Sequence, residues 1–140
     1  MNAVEAPLPV PTNESMPFWA AAKEGRLLIP RCRSCAHTWF PPTSACPSCG
    51  AEDFDWVESM GRGTVFSYVV VHRVYHPAFA DKVPYVVAII ELEEGPRILS
   101  NVVGIAPHLV GCDMPVRAVF RERRGDMVIP QFAPIGTQVT

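Results

Sequence analysis

The chain has 140 residues, 49% of them hydrophobic, and a formal net charge of −2, enough apolar side chain for one domain or for two small modules packed together. Its 12 basic against 14 acidic residues speak against the strong positive field by which nucleic-acid binders neutralise phosphates. No apolar run reaches the roughly 18 residues of a bilayer span. The start has Glu5 and spaced prolines rather than a basic segment ahead of an apolar one, so the chain reads as cytoplasmic, without a secretory signal.

Residues 1–14 hold Pro7, Pro9 and Pro11 with little to bury and are expected to form a flexible tail. A short N-terminal helix is expected over 15–25, with Ser15 as its cap, Pro17 in its first turn and Gly25 at its end. Helical spacing groups Phe18, Trp19 and Ala22 on one side. That side either packs on the chain's own domain or offers the aromatic pair Phe18-Trp19 to another subunit, because so short a helix needs external support.

Residues 26–58 form a cysteine module, with a strand over Arg26–Pro30 leading in and a strand over Phe54–Val57 returning. Cys32 and Cys35 are separated by two residues, as are Cys46 and Cys49, and ten residues lie between the pairs. A two-residue spacing lets one tight turn present both thiolates to one ion, and two such knuckles complete a tetrahedral four-sulfur site. Disulfides are rare in a reducing compartment, so the pattern reads as metal binding. Four thiolates leave no open coordination position, which makes the site structural. Redox-inert zinc is favoured over iron, which the same ligands could also hold. Cys112 lies far away in sequence and reads as a spare thiol.

Residues 59–136 change to a β texture. Strands are expected over Thr64–Arg73, Tyr85–Leu92, Arg97–Val103, Met114–Arg123 and Met127–Phe132, rich in Val and Ile and separated by Pro and Gly signals. Glu94-Gly95 and Arg124-Gly125-Asp126 read as hairpin turns. Five short strands with apolar residues on both faces of the first two predict a small closed barrel of the oligonucleotide/oligosaccharide-binding (OB) type. The fold class is therefore mainly β: an N-terminal helix, a zinc ribbon and a C-terminal five-stranded OB barrel.

Candidate chemistry outside the cysteines is thin. His72, Arg73, Tyr75, His76 and Phe79 cluster in the stretch after the first barrel strand, a loop that in OB folds faces ligands or partners. The cluster could contact a substrate or a partner's active site, or could be an ordinary solvated loop. Arg117, Arg121, Arg123 and Arg124 crowd one hairpin, but Glu122 and Asp126 are interleaved, which suits a charged edge that resists aggregation. His37 and His108 have no partner at a recognisable spacing and read as surface residues. No nucleophile elbow, phosphate-cradling loop or HExxH motif is present, so no catalytic residue is assigned.

Taken together, Phe18-Trp19, Glu24-Gly25-Arg26-Leu27, the two CxxC pairs, Phe40-Pro41-Pro42, Gly61-Arg62-Gly63-Thr64-Val65, Pro84-Tyr85-Val86-Val87-Ala88 and Gly111 with Met114-Pro115-Val116 closely resemble the DUF35 family, acyl-CoA-associated zinc-ribbon/OB-fold proteins. The resemblance spans residues 16–135. Ala36 departs from it, since the family often has Gly after the first knuckle; a residue as small as Ala is expected to allow the turn.

The resemblance implies a rubredoxin-like zinc ribbon joined to the barrel, and a non-catalytic accessory or scaffold subunit of a thiolase-superfamily enzyme, a thiolase or retro-aldolase. Such a subunit would support the partner's acyl-CoA site in a hetero-oligomer, with two plus two chains if the partner is dimeric. Phe18, Trp19, His72, Arg73, Tyr75, His76 and Phe79 would then be candidate contacts with the partner or with acyl-CoA. Two other readings stay open: an RNA- or single-strand-binding module, which would want a basic groove with stacking aromatics, and a rubredoxin-like electron carrier, which would need iron.

Overall fold

A computed structural model describes residues 8–136 of the chain. The expected 1–14 tail therefore lies partly outside the described residues. One helix, α1 (Met16–Lys23), precedes a two-stranded ribbon of β1 (Leu28–Cys32) and β2 (Phe54–Glu58). Five strands follow: β3 (Arg62–Val71), β4 (Tyr85–Leu92), β5 (Arg97–Val102), β6 (Pro115–Arg124) and β7 (Met127–Pro134). They close into a barrel in the order β3-β4-β5-β7-β6. All neighbours are antiparallel except β5 and β7, which run parallel at Val102 and Phe132. This is the OB barrel expected from the strand pattern. Among the described residues no helix is long and apolar enough to cross a membrane.

The helix departs from expectation at both its cap and its face. Ser15 makes no side-chain cap; it sits at φ −102°, ψ −5°, in the helical region, whereas a capping residue needs extended backbone to aim its oxygen at the next turn. Its hydroxyl instead accepts the Thr12 N–H at 2.9 Å. The buried face is Phe18, Ala21 and Ala22, the i, i+3, i+4 set. Trp19 lies about 100° around the helix from Phe18 and is only half-buried. Phe18 is 4% exposed and meets Trp19 and Phe40 at ring distances of 5.0 and 5.1 Å. Its ring is thus part of this chain's own core.

That core joins helix, ribbon and barrel. Phe18, Leu27 and Ile29 lie in one cluster with Val65, Val86, Ile90, Val116 and Phe132 of the barrel strands. Strict alternation supplies the barrel's share, since β4 buries every second residue from Val86 to Leu92. In β3 a bulge between Val65 and Ser67 resets the alternation, so that Tyr68 and Val70 again pack inward.

A polar latch fixes the ribbon-to-barrel connection. Ser59, buried, donates its hydroxyl to Glu94 Oε1 at 2.8 Å, and the Met60 N–H donates to Glu94 Oε2 at 2.9 Å. Thr38 of the ribbon donates to the Glu94 carbonyl at 2.9 Å. The β4–β5 hairpin turn, expected only as a turn, is therefore also the ribbon's seat. Beside it Gly63 has no space for a side chain: a Cβ there would run into the Glu91 carbonyl of the paired strand.

Replacing Phe18 with Ala should lower the unfolding free energy by about 3–5 kcal/mol, the usual cost of emptying a buried aromatic site. Urea unfolding of the metal-loaded protein would measure it. A loss below about 1 kcal/mol would mean that the helix is not held by this ring.

Candidate metal centre

The two CxxC turns share one backbone plan. In the first, the Cys32 N–H donates to the His37 carbonyl at 2.8 Å and the Ala36 N–H to the Cys32 carbonyl at 3.0 Å. In the second, the Cys46 N–H donates to the Ala51 carbonyl and the Gly50 N–H to the Cys46 carbonyl, both at 2.8 Å. The plan needs a left-handed residue just after the second cysteine. Gly50 takes φ 79° and Ala36 takes φ 63°. Glycine does this freely, while an L side chain there costs about 1 kcal/mol or more. The first knuckle thus forms with Ala36, but under backbone strain.

The turns bring all four Sγ atoms within 4.8 Å of one another. Cys32 and Cys49 are 3.5 Å apart and Cys35 and Cys46 3.6 Å, far beyond the ~2.05 Å of a disulfide. A tetrahedral ion with sulfur at ~2.3 Å would hold its ligands about 3.8 Å apart, so the residues present fit a four-thiolate metal site. The Cys35 N–H, and after it the Ser34 N–H, point at Cys32 Sγ, at 3.4 and 3.3 Å, and bring that thiol down to about 7. At Cys49 the Ala51 N–H acts in the same direction, but hydrogen bonding with Cys32 and Cys35 outweighs it and pushes the thiol up to about 12. Four thiolates so close together repel one another, and a cation between them removes that penalty.

The knuckle end of the ribbon has little other core of its own. Its separate cluster of buried residues is Cys32, Cys46 and Trp39, with Ala51 and Phe54 against it. Trp39 packs edge-on to Phe54 at 5.3 Å and donates its Nε1–H to the Thr43 hydroxyl at 3.0 Å. The sequence reading passed over Trp39; its position between the two CxxC pairs was the available signal. Arg33 forks onto Asp53 and Asp55 at 2.7 and 2.6 Å, an exposed clamp that lowers the Asp55 carboxyl. Cys112, His37 and His108 are exposed.

The loop cluster lies at the other end of β4 from the ribbon and is not brought to the cysteines. His72, Arg73 and Tyr75 are exposed, with the Arg73 guanidinium 5.4 Å from the Tyr75 ring centre. His76 and Phe79 instead build the loop: His76 Nδ1 accepts the Ala78 N–H at 3.1 Å, starting a 3-10 turn over Pro77–Phe79. Phe79 lies 5.8 Å from the His76 ring and 6.0 Å from Tyr85.

Ala36→Gly should relieve the first knuckle and stabilise the metal-loaded protein by about 1 kcal/mol, a few degrees in melting temperature, whereas Gly50→Ala should lower it by a similar amount. Equal melting of both variants and the parent would remove the strain. Cys46→Ser should release the metal and unfold the ribbon; one equivalent of metal retained with unchanged melting would deny the site a structural role.

Comparison with known proteins agrees with this arrangement. Residues 19–55 match the family of the ChsH2 rubredoxin-like zinc ribbon domain, and residues 56–121 that of the ChsH2 C-terminal OB-fold domain. A probable enoyl-CoA hydratase alpha subunit from Thermomonospora curvata is 46% identical over 87% of this chain, which spans only 38% of that protein's length. A DUF35 domain-containing scaffold protein from Methanocaldococcus jannaschii is 42% identical, with 77% of each chain covered. A solved structure described as the Ltp2-ChsH2(DUF35) aldolase contains a chain 42% identical to this one, superposing with a TM-score of 0.83 over 91% of this chain and 98% of that one. The chain belongs to the DUF35 family of rubredoxin-like zinc-ribbon and OB-fold proteins.

Proposed function

We propose that this protein is a non-catalytic scaffold subunit of a thiolase-superfamily enzyme acting on acyl-CoA esters, with zinc in the four-cysteine site. The observation that carries the reading is the outer face of β3, β4 and β5. Cross-strand register sets Val69 beside Val87, and Ser67, Ile89 and Leu99 in one row. Leu99 is 70% exposed, Val69 60% and Phe66 45%. In an OB fold the outer face of the second and third strands receives the ligand, and here those strands are β4 and β5. A contiguous exposed apolar face on a protein of this size marks a protein contact. Nucleic acid would need bases stacked on aromatics within a basic groove. On this face the Phe66 ring is covered by the Arg97 guanidinium at 3.7 Å, and Arg97 in turn faces Glu91 at 3.4 Å.

Support also comes from the closed chemistry of the site. Among the described residues the one group of metal-ligating side chains is the four-cysteine cluster, and four thiolates leave no position for substrate. The relatives are named as scaffold proteins and as a subunit, and the solved neighbour as the Ltp2-ChsH2(DUF35) aldolase. In the assembly the exposed loop residues His72, Arg73 and Tyr75, with half-buried Trp19, would contact the partner or its acyl-CoA, while His76 and Phe79 hold the loop in shape. Two scaffold chains would serve a dimeric partner.

Affinity purification from the native host, with mass spectrometry and metal analysis, tests the reading. A stoichiometric thiolase-superfamily protein and about one zinc per chain are expected. Recovery of RNA without such an enzyme would sink it. Leu99→Asp should weaken the association by about tenfold or more while leaving the melting temperature of the isolated chain unchanged; undiminished association would move the contact off this face.

A further inference from the structure

At the end of the barrel away from the ribbon lies a cavity of about 320 Å³, bounded by the 72–84 loop, the start of β4, the end of β5 and the β6–β7 hairpin. Its size is at the lower end of small-molecule sites. One wall is apolar: Phe79, Tyr85, Val86 and Val102. The other carries two cations, Lys82 and Arg124, and one acid, Glu122. Lys82 Nζ faces Glu122 at 3.6 Å, which leaves Arg124 as the uncompensated charge of the lining. The Arg124 guanidinium carbon lies 5.4 Å from the Phe79 ring centre, a contact that offsets part of its charge but accepts no N–H along its plane. Arg124 Nε is buried without a hydrogen-bond partner. An orphaned buried donor on a charged group is costly and calls for an acceptor.

Two further polar side chains of the lining, Asn101 and Gln131, are engaged with each other. The Asn101 side chain donates to the Val86 carbonyl at 2.8 Å and accepts from Gln131 at 3.3 Å. They shape the wall and leave the guanidinium as its anion receptor. We infer that this cavity binds a small organic carboxylate with an apolar body, its carboxylate on Arg124 and its body against Phe79, Val86 and Val102. A guanidinium fork matches a planar carboxylate. Glu122 in the same lining opposes a dianion, so a monoanionic head is preferred to a phosphate monoester. The site stands on its own lining, independent of the scaffold reading, and holds whether or not a thiolase-like partner is found.

The test uses the full metal-loaded chain and 4-phenylbutyrate as probe, followed by amide NMR titration. Saturable shifts are expected at Phe79, Lys82, Tyr85, Val86, Val102 and Gln131. The neutral amide of the same acid should bind at least about tenfold more weakly, equivalent to about 1.4 kcal/mol. Arg124→Met, which keeps the side chain's bulk, should show a loss of the same order. Lys82→Met should lose less, because Lys82 is partnered by Glu122. Equal binding of acid and amide, unchanged affinity of Arg124→Met, shifts centred on the ribbon, or no saturable shift at millimolar probe would each overturn the proposal. If Arg124→Met does not fold, the comparison of acid with amide on the parent protein decides alone.

Discussion

Four thiols must be gathered around one cation before the ribbon has a reason to fold. Its separate core amounts to Trp39 and the two inner cysteines, far less apolar area than a few dozen residues need to offset their conformational entropy. The metal site supplies the missing cohesion, and the matched hydrogen bonds of the two knuckles place the sulfurs for it. The rest of the molecule is built on that closure. With Cys32 fixed at its end, β1 can present Leu27 and Ile29 to the barrel and β2 can return through Trp56 and Val57 to the same cluster. Ribbon and barrel thereby share a core although they match separate family models.

The joint between them is polar as well as apolar. Glu94 receives three hydrogen bonds from three different residues, one of them from a buried serine whose hydroxyl also accepts the Gly61 N–H at 3.0 Å. Apolar packing alone would allow the ribbon to slide over the barrel end; directed bonds to one carboxylate and its carbonyl fix the angle. That angle decides how the ribbon stands relative to the exposed face of β3 to β5, against which we place a partner.

Much of this was legible in the residues. The β4 strand came out as read, Tyr85–Leu92, because its period-two pattern and flanking turn signals agree. The cysteine spacing led directly to the four-sulfur cluster. The failures were at places where tertiary contacts decide. Nothing local says which side of a two-turn helix will meet the barrel, and the buried set proved to be centred on Phe18 rather than on the Phe18-Trp19 pair. Ser15 was read as a cap from its type, but Thr12 took its hydroxyl. Arg124 was read as one of several solvated charges on an edge; its half-buried place against Phe79, 45 positions back along the chain, follows from a loop packing that no sequence period encodes.

The barrel is closed unevenly. β4 is stitched to both neighbours along most of its length, whereas β3 meets β6 through three residue pairs and β5 meets β7 at the single pair Val102–Phe132, backed by the Val103 N–H to the Phe132 carbonyl at 2.8 Å. Amides along that parallel seam should exchange with solvent sooner than those of β4, since local opening there breaks the fewest bonds. The seam also borders the cavity that Val102 and Gln131 line from its two sides. A molecule bound in that space would act as a rivet across the most sparsely bonded stave joint of the barrel, and occupancy at one end would be felt as stiffness along the whole closure.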